Sequence, residues 1–318
     1  MRGSGCSQDR NEAQAPLVVI VGPTAVGKTR LALRLAGKLG AEIVSADSRQ
    51  VYRGMDIGTD KPTAEERQRV LHHLVDIVNP DEEFTLARYQ DMAYAAIDRV
   101  WSRGSVPFLV GGSGLYIKAV VGGWGIPRVR PNEVLRTELY REAEVKGGMA
   151  LHARLRQVDP VAAEKIDPRN VRRVIRALEV YLETGRPISE LQRRRPPPYR
   201  VLQIGLTMER AALYQRIDQR VDRMIERGLV EEVRGLVEQG YGYELPAMSG
   251  LGYRQVGCYL RGEIGLEEAI RLIKRDTRRF VRQQYNWFRL DDEGIRWFQA
   301  SDDPFERIKG VILQFLGH

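Results

Sequence analysis

An α/β fold, a parallel sheet with a helical segment inserted into it, is predicted by three features of this 318-residue chain. An apolar, β-branched run at Leu17 to Val21 leads into a glycine-rich turn and then a leucine-spaced helical stretch. Short apolar runs go on alternating with helical spacing to about residue 127, the rhythm of a parallel sheet. Strand-like runs then vanish until Val201 to Leu206, where the sheet resumes.

The turn is Gly22-Pro23-Thr24-Ala25-Val26-Gly27-Lys28-Thr29. It fits G-x-x-x-x-G-K-[ST] in the strand-loop-helix context that a P-loop needs, so the core is read as P-loop NTPase-like. The glycines let successive backbone N–H groups converge on one anion, and the following helix adds its positive end, about half a unit charge. Lys28 supplies a point charge and Thr29 a hydroxyl for Mg²⁺. The loop specifies a polyphosphate, but neither its identity nor its fate. The alternative is an ordinary strand-turn-helix corner.

Next comes a short strand, Glu42 to Ser45, with Asp47 and Ser48 just past its C-terminal end. That edge of an open parallel sheet is where ligands bind, which places Asp47 near the phosphates; a turn or N-cap role is the competing reading. Residues 54–63 read as a loop, and His72 to Val78 as a further strand. Adjacent strand histidines point to opposite faces, so His72 and His73 do not share a metal. Leu86, Tyr89, Ala93, Ile97 and Val100 mark a helix. The strand Val106 to Val110 ends in Gly111-Gly112-Ser113-Gly114, where many P-loop NTPases carry a Mg²⁺-holding aspartate. That speaks against ATP hydrolysis, and the glycines allow something bulky to approach the backbone.

Charge is uneven. Residues 1–127 hold 15 basic against 14 acidic side chains, residues 128–200 hold 17 against 10, and residues 201–318 hold 18 against 18. A localised basic field points to a polyanion larger than a nucleotide, the alternative being a solvated arginine-rich surface. The basic third contains a helix with an apolar stripe of Val171, Val174, Ile175 and Leu178, flanked by Arg169, Arg172, Arg173 and Arg176. Arg193 to Pro198 reads as a stiff connector. The expected organisation is a disordered leader over 1–15, a P-loop core over 16–127 and 200–318, and a helical insertion with its connector over 128–199. In the C-terminal part, Leu213, Ile217, Val221 and Met224 face a core. On a later helix Arg271, Lys274, Arg275, Arg278, Arg279 and Arg282 form one basic stripe. Like charges stacked this way cost helix stability, so the stripe points to a phosphate backbone lying along it; salt bridges to acidic residues elsewhere are the other reading. No apolar run approaches the ~20 residues of a membrane span, and residues 1–15 lack a signal-peptide core. Cys6 and Cys258 are too few for a disulfide framework or zinc site. A cytoplasmic protein without membrane attachment is expected.

The segments GPTAVGKT, SADSRQVYRGMDIGTDKP, LVGGSGLY, RRVIRALEVY, GLGYRQ and TRRFVRQQYNWFR occur in order. Together, over about residues 17–290, they closely resemble the bacterial tRNA dimethylallyltransferase (adenosine-37 isopentenyltransferase, or IPP transferase) family. The resemblance implies transfer of a dimethylallyl group from dimethylallyl diphosphate to N6 of adenosine 37 in tRNAs that read codons starting with U. It implies that the donor diphosphate lies on the loop from Gly22 to Thr29 with Mg²⁺, and that Arg220 helps Lys28 hold it. Asp47 then matches the general base. Asp47, Ser48, Arg49 and Gln50 match residues around the flipped adenine. Ser113, Arg136, Asn170, Arg172, Arg173, Gly252, Tyr253, Arg254 and Gln255 match tRNA contacts, to which the stripe adds Arg278 and Arg282. The insertion resembles the family's mobile domain, which clasps the anticodon stem. Gln283, Tyr285 and Asn286 depart from the family's usual basic residue, Leu and Thr, and no C-terminal zinc-finger pattern follows. A monomer is expected.

The implied chemistry agrees with the residues. Charge builds on the departing diphosphate, where backbone donors, Lys28 and Arg220 stabilise it. Asp47 takes the N6 proton late, and the target base leaves the anticodon loop to reach a buried donor. Two other readings stay open: a small-molecule P-loop kinase with the insertion as a lid, and a non-enzymatic RNA-binding protein.

Overall fold

The computed structural model describes residues 14–195, 197 and 199–317. Most of the expected leader therefore lies outside the described residues, and Ala15 already begins the first strand. In chain order the regular elements begin β1 (Ala15–Val21), α1 (Lys28–Leu39), β2 (Ala41–Ser45), α2 (Ala64–Arg69) and β3 (His72–His73). They continue through α3 (Leu86–Ser102), β4 (Val106–Val110), α4 (Gly114–Val121), α5 (Glu133–Lys146), α6 (Gly148–Val158) and α7 (Pro160–Lys165). Next come α8 (Val171–Thr184), α9 (Ile188–Leu191), β5 (Tyr199–Thr207), α10 (Arg210–Glu226) and α11 (Leu229–Glu238). The chain closes with α12 (Tyr253–Leu260), α13 (Leu266–Trp287), β6 (Ile295–Gln299) and α14 (Phe305–Leu316).

All six strands pair in parallel, in the order β3-β2-β4-β1-β5-β6. β1 is central and buried along Pro16–Val21, which is why it reads as an unbroken apolar run. The strand expected over 72–78 is cut to two residues, because Leu74 and Asp76 adopt left-handed backbone, at φ 62 and 56. β6 extends the sheet beyond β5 and went unread in the sequence, since at the sheet's edge only Ile295 and Phe298 of its residues are buried.

The chain forms two compact units. One contains the described residues up to Phe84, Asp91–Ile117 and those after Pro197; the other contains Thr85–Gln90 and Lys118–Pro197. In the first, Val18, Ile20, Leu35, Phe108 and Ile204 bury the sheet against Leu213, Ile217 and Ile312. A separate cluster there joins Val51 and Met55 to Val221, Val233, Met248, Val256 and Ile273. In the second unit, Leu139, Leu151 and Leu155 pack on Val174, Ile175 and Leu178. Glu179, on the same helix, is fully buried. It accepts from the Asn132 N–H at 2.9 Å, Arg136 Nε at 2.9 Å and Arg176 Nη1 at 2.5 Å. No helix among the described residues is long and apolar enough to cross a membrane.

Candidate active site

The glycine-rich loop turns by alternating backbone handedness: Gly22, Ala25 and Gly27 have φ of 145, 68 and 105. Such alternation aims successive N–H groups at one point. Gly22 also has no room for a side chain, because a Cβ there would lie 2.4 Å from the Leu206 carbonyl oxygen of β5. Lys28 Nζ donates to the Pro23 carbonyl at 2.8 Å, so its ammonium spans the loop. Thr29 opens the first turn of α1 beside it.

The loop floors a cleft of 580 Å³ that also takes in Asp47 and a row of arginines, Arg216, Arg220 and Arg223 on α10 and Arg227 at its C-terminal cap. Spacings of four, three and four put these side chains on one face. Asp60 reaches into the row, with Oδ2 3.6 Å from Arg220 Nε and Oδ1 3.8 Å from Arg227 Nη1. Burial pushes the Lys28 ammonium down to about 7; Asp47 opposes the shift and Arg220 adds to it. A site this rich in cations is built for an anion that restores the lysine's charge.

Asp47 follows β2 directly. Its Oδ1 accepts from the backbone N–H of Arg49 at 2.8 Å and of Gln50 at 3.4 Å, leaving Oδ2 without a partner among the described residues. The turn reading of this residue therefore accounts for one carboxylate oxygen and leaves the other to the cleft. Gly111, after β4, lies so close to Ala46 that a Cβ would sit 2.1 Å from its carbonyl oxygen. Ser113 Oγ accepts from the Ser48 N–H at 2.9 Å, locking the two loops.

A second cavity, 270 Å³, opens on the other side of Asp47. Ser48, Arg49, Ser113, Gly252, Tyr253 and Phe280 are among its walls, and it shares Thr24, Asp47, Gly112, Arg220 and Met224 with the phosphate cleft. One chamber is thus dominated by cations, the other carries an aromatic and aliphatic wall, and Asp47 stands where they meet.

The remaining residues expected at RNA divide. Gln50 lines the phosphate cleft, not the second chamber; its amide holds the 59–60 loop through the Thr59 and Asp60 carbonyls, both at 3.3 Å. Arg49 is engaged by the Pro246 carbonyl at 2.7 Å and Ser249 Oγ at 3.3 Å. Gln255 is buried, bonding the Gly252 N–H at 3.1 Å and Asp276 at 2.9 Å, so it supports the loop from behind. Arg254 is exposed and donates to Asp276 at 3.0 Å.

The basic stripe of α13 is not the free ridge that the sequence implies. Arg271 pairs with Glu268, Lys274 with Asp222, Arg275 with Asp276 and Arg278 with Asp218, while Arg282 donates to Tyr214 Oη at 3.2 Å. Arg279 is exposed and has no such partner among the described residues. In the helical unit, Arg136 is held by Glu179, and Asn170 caps α8 by accepting from the Arg173 N–H at 3.3 Å. Arg172 and Arg173 are exposed and unpaired among the described residues.

Sequence reading missed two supports. Glu232 accepts the backbone N–H groups of Asp56, Ile57 and Gly58 at 2.9, 2.7 and 3.2 Å, and the Tyr253 hydroxyl at 2.6 Å. In the sequence it looks like a first-turn acid of a helix, a position that needs no other explanation. Gln284, between the named Gln283 and Tyr285, is the second; only its burial on the stripe's opposite face sets it apart.

An IPP transferase family model matches residues 50–291. The tRNA dimethylallyltransferase of Roseiflexus castenholzii is 54% identical over 299 residues, spanning 94% of this chain and 98% of that protein. The one of Thermomicrobium roseum is 53% identical over 286 residues, 90% of this chain and 87% of that protein. Among solved structures, the full-length tRNA isopentenylpyrophosphate transferase of Bacillus halodurans matches with a TM-score of 0.70 at 44% identity, covering 94% of this chain and 96% of that one. A eukaryotic dimethylallyltransferase acting on tRNA matches with a TM-score of 0.75 at 28% identity, covering 90% and 74%. The kinase reading has no counterpart among these relatives. By sequence and by fold, the chain belongs to the IPP transferase family.

Proposed function

We propose that this protein transfers the dimethylallyl group of dimethylallyl diphosphate to N6 of adenosine 37, next to the anticodon, in tRNAs that read codons starting with U. The observation that carries the reading is the meeting of the two chambers at Asp47 and Arg220. The diphosphate lies on the P-loop against Lys28 and Arg220; the adenine, out of its stack, enters beside Ser48 and Tyr253. The allylic C–O bond breaks with its electron pair going to the diphosphate, the C–N6 bond forms, and the free Oδ2 of Asp47 takes the N6 proton. Lys28 and Arg220 face the charge that develops on the leaving group.

Mg²⁺ fits this site through the Thr29 hydroxyl. No cluster of three or more His, Cys, Asp or Glu able to hold a metal occurs among the described residues. Mg²⁺ needs none, since it keeps waters and takes phosphate oxygens beside one or two protein ligands. When bound, it supplies further charge neutralisation at the diphosphate. A tRNA substrate calls for a cytoplasmic enzyme, and two chambers built within one chain support a monomer.

Incubation with dimethylallyl diphosphate, Mg²⁺ and unmodified tRNA, followed by digestion to nucleosides, is expected to yield N6-(dimethylallyl)adenosine from position 37. Folded protein that binds tRNA and yields no prenylated nucleoside would overturn the reading.

A further inference from the structure

The amide of Gln284, on α13, hydrogen-bonds the P-loop directly. Its Oε1 accepts from the Thr24 backbone N–H at 2.8 Å, and its Nε2 donates to the Gly112 carbonyl at 3.0 Å. The residue is buried, 3% exposed. Gly112 must lack a side chain for this to happen: a Cβ there would lie 2.5 Å from Gln284 Nε2. One turn further along the helix, Trp287 lies against Gly114, where a Cβ would be 2.2 Å from Cγ. The glycines after β4 therefore receive α13 itself. Both ends of the amide are satisfied with strong geometry, and they join three segments far apart in sequence.

We propose that Gln284 is a positioning residue for the donor: it fixes the Thr24 end of the P-loop and ties the diphosphate cradle to α13. A P-loop holds an anion only when its N–H groups point inward together. Thr24 N–H is committed to Gln284 in the free protein, which settles which amides remain for the phosphates. The same helix walls the second chamber through Thr277 and Phe280, so the tie sets the distance between the two substrates. The kinetic part of this inference rests on the transferase reading; the binding part does not.

The test uses the full chain and the volume-matched Gln284→Met. Calorimetry with inorganic pyrophosphate and Mg²⁺ reads the cradle without turnover, and tRNA binding reads the RNA surface. We expect pyrophosphate affinity to fall about tenfold, the loss of a buried hydrogen bond with its partner left unsatisfied, and tRNA affinity to stay within about twofold. The KM for dimethylallyl diphosphate should rise in parallel. Unchanged pyrophosphate affinity, or a loss confined to tRNA, would overturn the proposal, the latter by making Gln284 an RNA contact. Should the variant not fold, hydrogen exchange in the wild-type protein still decides. Thr24 N–H must be protected before any ligand is added, and free exchange there rules the tie out.

Discussion

Asp47 gives one oxygen to the Arg49 and Gln50 N–H groups and keeps the other for the proposed base role, and this makes its substitutions distinguishable. Removing the side chain loses the turn that holds Arg49 and Gln50 as well as the base. Asn keeps an oxygen for that turn and loses only the base. We therefore expect Asp47→Asn to cut single-turnover transfer by roughly 10²–10⁴-fold while tRNA affinity and thermal stability stay near wild type; transfer close to normal would remove Asp47 from the role. Lys28 makes a pH prediction. Its pKa in the free protein is about 7, and a bound diphosphate raises it, because an adjacent anion favours the charged form. Above pH 7 the free Lys28 side chain is largely neutral and in the complex it is protonated, so binding takes up a proton. Pyrophosphate affinity should then fall as pH rises above about 7, by up to about tenfold per unit. Calorimetry at pH 8 in two buffers of unlike ionisation enthalpy should count close to one proton more for the wild type than for Lys28→Arg, which is charged throughout, the difference cancelling the protons of pyrophosphate itself.

At the scale of the element, α13 shows what a sequence pattern contains and what it omits. The six basic residues do lie along one side of the helix, as their spacing requires. Two of their acidic partners, Glu268 and Asp276, are local, but Asp218 and Asp222 lie on α10, about 50 to 60 residues away, and no local pattern encodes that pairing. Arg278→Ala is accordingly expected to lower stability and leave the salt dependence of tRNA binding nearly unchanged. Arg279→Ala should flatten that dependence by about one contact. The opposite outcome in a salt titration would return Arg278 to the RNA surface. In the helical unit, Glu179 depends on its arginines. Burial would raise its pKa, but the bonds from Arg136, Asn132 N–H and Arg176 outweigh burial and hold it below the usual carboxylate range. Its stabilising contribution is therefore present above its unfolded-state pKa and is lost as pH falls through the lower folded-state value. Glu179→Ala leaves Arg136, Arg176 and the Asn132 N–H without their shared acceptor and is expected to cost about 1–3 kcal/mol, measured by urea denaturation.

For the molecule as a whole, the strands that carry the site were legible because they lie inside the sheet. β1 and β4 are apolar throughout, and β2 and β5 keep apolar runs around Glu42 and around Arg200 and Gln203, so that a mostly apolar run bounded by turn residues leaves few other readings. β6 and the truncated β3 sit at the sheet's edges, where half-exposed residues give a weak signal and left-handed backbone at Leu74 and Asp76 gives none. The phosphate loop was legible for the same local reason: its conformation is encoded in eight consecutive residues. Gln284 and Glu232 were not, because each acts on backbone groups distant in sequence, and a backbone N–H carries no sequence signature. The charge excess of residues 128–200 was legible in total but not in detail, since pairing with Glu179 engages Arg136 and leaves Arg172 and Arg173 exposed and unpaired among the described residues. Replacing both of these with alanine should reduce the salt slope of tRNA binding by about two contacts without changing pyrophosphate affinity.

Two cavities that join at a single carboxylate set a rule for inhibitors. A compound carrying a stable diphosphate mimic on one end and an adenosine, attached through N6, on the other spans the junction and blocks both entrances at once. Its second half binds as an intramolecular event, at an effective concentration of order millimolar for a short linker. Ligands confined to the P-loop face every other protein built on that loop; a bridging molecule also meets the walls of the second chamber, where the proposed function puts the purine, and its selectivity is expected to come from there.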